Sequence, residues 1–195
     1  MKTSEEHPYR ARLQELRRKA PKVERGLVIV YTGDGKGKTS AALGTAIRAL
    51  GTGWKVAFLQ FMKGAWKSGE ENVVPLFDGQ WLLRKLGRGF TWDHDSLDED
   101  IQAAREAWQE ALGILFSGEY ELVVLDEINY VLSYGFLDVN QVIEALRQRP
   151  QHVHVVCTGR NAPHALVEFA DLVTEMRKVK HPFDQGILAQ RGIDF

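Results

Sequence analysis

The chain has 195 residues, with 25 Lys and Arg against 26 Asp and Glu for a formal net charge of −1, and 44% of its residues are hydrophobic. This composition excludes a disordered or collagen-like chain, and at roughly 150 residues per domain the length fits one domain with room for an arm. Balanced charge argues against a dedicated nucleic-acid binder, which carries a basic excess, and the one cysteine, Cys157, allows neither an intramolecular disulfide nor a cysteine-based metal site.

No apolar run approaches the ~18 residues of a membrane span. Residues 1–8 lack the apolar stretch of a secretory signal, so a cytoplasmic location without a membrane partner is expected. Charge is uneven along the chain: residues 1–25 hold eight Lys and Arg but only four Asp and Glu. Within this basic arm Tyr9, Leu13, Leu16 and Ala20 recur at helical spacing among Arg10, Arg12, Arg17, Arg18 and Lys19, until Pro21 ends the pattern. Two readings of the arm stand, a solvated tail or a basic amphipathic helix that caps a site holding an anionic ligand.

The body, 26–195, opens with the β-branched run 27–31, suited to a strand buried on both faces of a parallel sheet. A glycine-rich turn follows, then a helix over 39–50 closed by Gly51, and a strand over 54–61. A short helix near 70–77 and a strand at 81–86 come next. Leu97, Ile101, Ala104, Trp108, Leu112 and Leu115 mark one face of a long amphipathic helix. Thereafter come a strand at 122–125, a helix near 139–147, a strand at 153–157, a helix near 163–169 and a last strand at 172–176. This alternation predicts a mostly parallel α/β sheet with helices on both faces.

The most informative segment joins the first strand to the first body helix: Thr32-Gly33-Asp34-Gly35-Lys36-Gly37-Lys38-Thr39-Ser40. Binding a polyphosphate requires backbone N–H groups that converge on anionic oxygens, and glycine permits the dihedrals this needs. The helix N-terminus adds partial positive charge. Lys38 would reach bridging phosphate oxygens and the Thr39 hydroxyl would ligate Mg²⁺. The pattern departs from G-x-x-x-x-G-K-[ST] in that Thr32 holds the first glycine's place and glycine follows one residue late, at Gly33. A second half-site stands at 122–127, where four apolar residues precede Asp126 and Glu127; such a pair holds Mg²⁺ or merely caps a helix. With the phosphate loop present, the metal reading is favoured.

Five ordered blocks carry the reading further: the loop itself through Ala42, then Arg88-Gly89-Phe90-Thr91-Trp92, Leu125-Asp126-Glu127-Ile128-Asn129-Tyr130, Cys157-Thr158-Gly159-Arg160-Asn161, and Lys180-His181-Pro182-Phe183-Asp184-Gln185-Gly186. Together they resemble the P-loop-type ATP:cob(I)alamin (corrinoid) adenosyltransferases, from about Gly26 onward. The resemblance implies a P-loop (RecA-like) fold and transfer of the 5′-deoxyadenosyl group of ATP to the Co(I) of cobalamin or a related corrinoid, with triphosphate released. It implies ATP bound with its phosphates reversed relative to ordinary P-loop enzymes, contacted by Gly33, Asp34, Gly35, Lys36, Gly37, Lys38, Thr39, Ser40 and Arg160. Mg²⁺ or Mn²⁺ would be held by Thr39 and Glu127 with Asp126 behind them.

Phe90 and Trp92 match aromatics that displace the lower ligand of cobalt; the residues alone would also fit two core aromatics in a loop. A flavodoxin-like reductant and a homodimer are further implications, with the basic arm over the occupied site. Asp34 and Ser40 stand where relatives can carry Asn and Thr, and Asp34 is expected to face ribose, metal-bound water or Lys36. His152, His154 and Cys157 read as structural, His94 as part of a solvated loop, and His181 is left open between corrinoid and fold.

Overall fold

A computed structural model describes residues 8–20, 24–62, 68–86 and 97–194. Six strands form a single sheet: β1 (Val28–Thr32), β2 (Val56–Gln60), β3 (Trp81–Lys85), β4 (Leu122–Asp126), β5 (His154–Thr158) and β6 (Leu172–Glu175). Their spatial order is β3-β2-β4-β5-β1-β6, and every neighbouring pair is parallel. The expectation of a mostly parallel sheet is met in full, because each strand returns through a crossover rather than a hairpin.

Alternation along the strands divides the core in two. Val56, Phe58, Leu122, Val124 and Val156 face α2 (Lys38–Gly51), whose Ala42, Ala46 and Ala49 let the helix approach closely. Val30, Leu59, Val123, Leu125, Val155 and Cys157 face the opposite layer. That layer holds α3 (Leu97–Ser117), α4 (Ile128–Ser133), α5 (Val139–Gln148) and α6 (His164–Phe169). Each fully buried Leu, Val or Phe contributes about 1.5–3 kcal/mol through apolar area removed from water.

Several details differ from the sequence-based expectation. The second strand begins at Val56 rather than 54, and Trp54 instead stacks on His154 with ring centroids 5.1 Å apart. The helix expected near 70–77 is two 3₁₀ turns, Gly69–Asn72 and Val74–Phe77; Pro75 in the second removes a donor and keeps the turns from merging into an α-helix. Helix α4 was not foreseen. Leu97, assigned to the buried face of α3, opens that helix and is exposed.

The arm's helix forms where the spacing places it, as α1 (Pro8–Lys19), with Leu16 exposed. At the arm's end Arg25 pairs with Asp171 through contacts of 2.5 and 2.9 Å. No helix among the described residues is long and apolar enough to cross a membrane.

Candidate active site

The sheet order brings the loop after β1 beside the ends of β5 and β4, the crevice where open α/β sheets bind ligands. The displaced glycine of the loop has a structural explanation. Thr32 still belongs to β1, where it sits opposite Glu175 of β6, and its hydroxyl accepts the N–H of Ala162 at 3.1 Å. Gly33 is the residue that turns the chain, at φ 94°, and a Cβ there would lie 2.5 Å from Met176 O. Gly37 leads into α2 at φ 111°.

Lys38 lies back along the loop and donates from Nζ to Gly33 O and Gly35 O, both at 2.7 Å. Burial pushes its ammonium below the ordinary lysine range, Arg160 adds to this, and Glu127 and Asp34 oppose it. Groups from the ends of β1, β4 and β5 therefore lie within electrostatic reach of Lys38. Asp34 acts on Lys38; Lys36, one of its expected partners, is ion-paired with Asp194.

At the end of β4, Asp126 is fully buried. Its Oδ1 accepts from the Thr39 hydroxyl at 3.0 Å and from the Thr158 hydroxyl at 2.7 Å. Thr158 in turn accepts the N–H of Glu127 at 2.8 Å. Glu127 caps α4 at φ 65°, an uncommon conformation for a side-chain-bearing residue and one found at functional turns. The phosphate loop and the acidic strand end are thus directly hydrogen-bonded to each other.

Among the described residues no group of three His, Cys, Asp or Glu side chains could by itself hold a metal. The donors at this point are two carboxylates and a hydroxyl, all hard oxygens. That set suits Mg²⁺ or Mn²⁺, which keep several water or phosphate ligands, and does not suit a softer ion.

Sequence reasoning missed three contributors. Thr158 ends an apolar strand, and a buried hydroxyl there needs a partner, which was the available signal. Asn129 is buried in α4 and donates to Gly159 O at 3.1 Å, fixing the turn that presents Arg160. Tyr130 has its phenol pushed above the ordinary range by burial, against the lowering influence of Arg160. Phe90, Trp92 and His94 lie outside the described residues. His154 accepts the N–H of Leu27 at 3.1 Å, and His181 caps the turn Pro182–Gln185 by accepting the N–H of Phe183 at 3.1 Å. Cys157 is buried, its thiol pushed up to about 12, as an inert core residue would be.

A family model described as ATP:corrinoid adenosyltransferase BtuR/CobO/CobP matches residues 24–195. The chain belongs to this family. A corrinoid adenosyltransferase of Escherichia coli K12 is 45% identical over 172 residues, 88% of this chain and 87% of that protein. The corrinoid adenosyltransferase CobA of Salmonella typhimurium LT2 is 43% identical over the same length, 88% of this chain and 87% of that protein. A Pseudomonas aeruginosa PAO1 corrinoid adenosyltransferase is 45% identical over 88% of this chain and 85% of its own. Among solved structures, the flagellar accessory protein FlaH of Methanocaldococcus jannaschii shares the fold at a TM-score of 0.51 and 12% identity, covering 83% of this chain and 76% of that one. As a member of the corrinoid adenosyltransferase family the chain is an enzyme, and its described motifs sit at the strand ends of a parallel α/β sheet.

Proposed function

We propose that this chain transfers the 5′-deoxyadenosyl group of ATP to the cobalt of a reduced corrinoid, cobalamin or a relative. The Co(I) electron pair forms the Co–C5′ bond, the C5′–O bond breaks, and the oxygen leaves with its electrons as triphosphate. The observation that carries this reading is the joint between the two half-sites, where Thr39 of the phosphate loop bonds to buried Asp126. In a chain of this family, that joint supports the reading of a metal-bound triphosphate between the two half-sites.

The loop's work differs from that in phosphoryl transfer. Gly33 through Ser40 and Arg160 bind a leaving group, not a group in transit. Backbone N–H donors and the Lys38 charge, held in a partly buried site, stabilise the negative charge that grows on the departing oxygen. Arg160 presents a planar fork to phosphate oxygens. Thr39 and Glu127 would hold Mg²⁺ or Mn²⁺, with Asp126 orienting Thr39; bound there, the cation neutralises triphosphate charge.

Phe90 and Trp92 supply apolar volume against the corrin's lower face and offer cobalt no lone pair. Reduction to Co(I) calls for a low-potential, flavodoxin-like electron donor. The enzyme acts in the cytoplasm as a homodimer, with the basic arm closing over the occupied site. The surplus of positive charge in residues 1–25 suits a cap over anionic ATP.

A product assay tests the core of this reading. The protein is incubated with ATP, Mg²⁺ and chemically reduced cobalamin, and the mixture is analysed for triphosphate and for the adenosylated corrinoid spectrum. Both are expected in equal amounts. Orthophosphate or ADP without adenosylated corrinoid would make the chain an ordinary nucleotide hydrolase or kinase.

A further inference from the structure

The phosphate loop is held by more than β1 and α2. Past β6, Met176 donates its N–H to Thr32 O at 2.7 Å and accepts the N–H of Gly35 at 2.6 Å. A Cβ on Gly35 would come within 2.7 Å of Arg177 O, so the two backbones pass too close for any side chain. The chain then turns at Pro182–Gln185 and comes back to the loop, where Asp194 forms an ion pair with Lys36.

Asp194 is the anchored member of that pair. Its second oxygen, Oδ2, accepts the N–H of Gln190 at 2.7 Å, and its own N–H donates to Gln190 O at 2.8 Å. Its side chain is 12% exposed against 51% for Lys36. Lys36 holds its carboxyl below the ordinary range, and the Gln190 N–H adds to this. The same turn forms one wall of a cavity of about 500 Å³ whose other walls include Thr39 and Leu43 of α2, Glu70 and Trp81. One short turn therefore neutralises a lysine in the middle of the phosphate loop and closes the space beside the residue that bonds to Asp126.

An ion pair on an open surface contributes little. This one acts on a glycine-flanked residue, and donors displaced by a fraction of an ångström no longer converge on their ligand. We propose that Asp194 is a positioning residue of the nucleotide site. Through Lys36 it holds the loop's N–H groups where they receive the triphosphate, and the turn it ends is a wall of the nucleotide cavity. A carboxylate that merely occupied a phosphate's place, to be expelled by ATP, would act with the opposite sign.

The inference rests on the nucleotide reading of the loop and not on the corrinoid. Its test is equilibrium binding of MgATP to the full chain without corrinoid, with steady-state kinetics alongside. For Asp194→Ala the ATP Kd and KM rise about three- to fivefold. Its kcat and corrinoid KM hold, and the Tm without nucleotide moves by less than about 2 °C. Asp194→Glu recovers most of the loss. In a double-mutant cycle, Asp194→Ala adds nothing once Lys36 is already replaced by Met, a readout that holds even if Asp194→Ala also lowers stability. Unchanged or tighter ATP binding by Asp194→Ala, or additive losses in the cycle, overturns this inference alone. Absence of MgATP binding by the unaltered protein overturns it together with the nucleotide reading beneath it.

Discussion

The hydroxyl of Thr158 donates to Oδ1 of Asp126 at 2.7 Å, one residue past the last paired positions of β4 and β5, Leu125 and Cys157. Because that hydroxyl also accepts the Glu127 N–H, one side chain of β5 fixes both acidic residues at the end of β4. Thr158→Val keeps the shape and removes both bonds at a fully buried site. It is expected to cost about 1–3 kcal/mol, seen as a lower Tm by circular dichroism. Thr158→Ser keeps the hydroxyl and should stay close to the parent. A Thr158→Val protein as stable as the parent would mean that the buried carboxylate draws nothing from β5.

Lys38 makes both of its loop contacts with carbonyl oxygens that a bound triphosphate would replace. Its ammonium is already partly desolvated, so its affinity for phosphate oxygens is less diluted by water than that of an exposed lysine. Lys38→Ala is expected to weaken MgATP binding by about 10- to 100-fold, the worth of a charged hydrogen bond, while leaving the apo protein folded. Isothermal calorimetry reads the first quantity and thermal unfolding the second. Equal ATP affinity in the two proteins would remove Lys38 from the site.

Much of this was legible in the sequence, for physical reasons that differ from element to element. The apolar runs at 27–31 and 122–125 announce central strands because both faces of a parallel strand are covered. Gly33 and Gly37 announce the sharp turn between β1 and α2 because few other residues tolerate their positive φ. Helix α4 was illegible: six residues give less than two turns of periodicity, and four of them, Ile128, Asn129, Val131 and Leu132, are buried. The roles of Thr158 and Asn129 depend on which strand lies beside which, and strand order leaves no periodic trace. The Lys36–Asp194 pair spans most of the chain and has none either.

At the opposite end of the sheet, Arg25 and the N–H of Val28 both bond to Asp171. The Arg25 guanidinium, first, and the backbone donor hold the Asp171 carboxyl down to about 2, from an ordinary 3.8. A carboxyl depressed in the folded state contributes stability that is complete above the unfolded value and fades as pH falls through the folded one. Urea unfolding between pH 5 and pH 2 should show the parent losing stability across this window. Asp171→Asn, less stable at pH 5, should lose less, so that the two converge toward pH 2. A constant difference between the two across the window would remove Asp171 from the acid response.

The last prediction concerns the aromatics Phe90 and Trp92, two residues apart in the sequence and proposed above to displace the lower ligand of cobalt. Cobalt(II) accepts an electron far more easily once an axial ligand is lost, because the ligand's lone pair raises the orbital that must be filled. Axial ligation sets haem potentials through the same lever. An indole can displace a ligand by volume without replacing its lone pair, so its effect belongs to the reduction step and not to attack on C5′. Trp92→Ala is therefore expected to slow turnover from Co(II) with an external reductant by more than about tenfold, ~1.4 kcal/mol of barrier. Turnover from prereduced Co(I) should fall much less. Parallel assays from the two oxidation states measure the split, and equal losses from both would place Trp92 in corrinoid binding instead of ligand displacement.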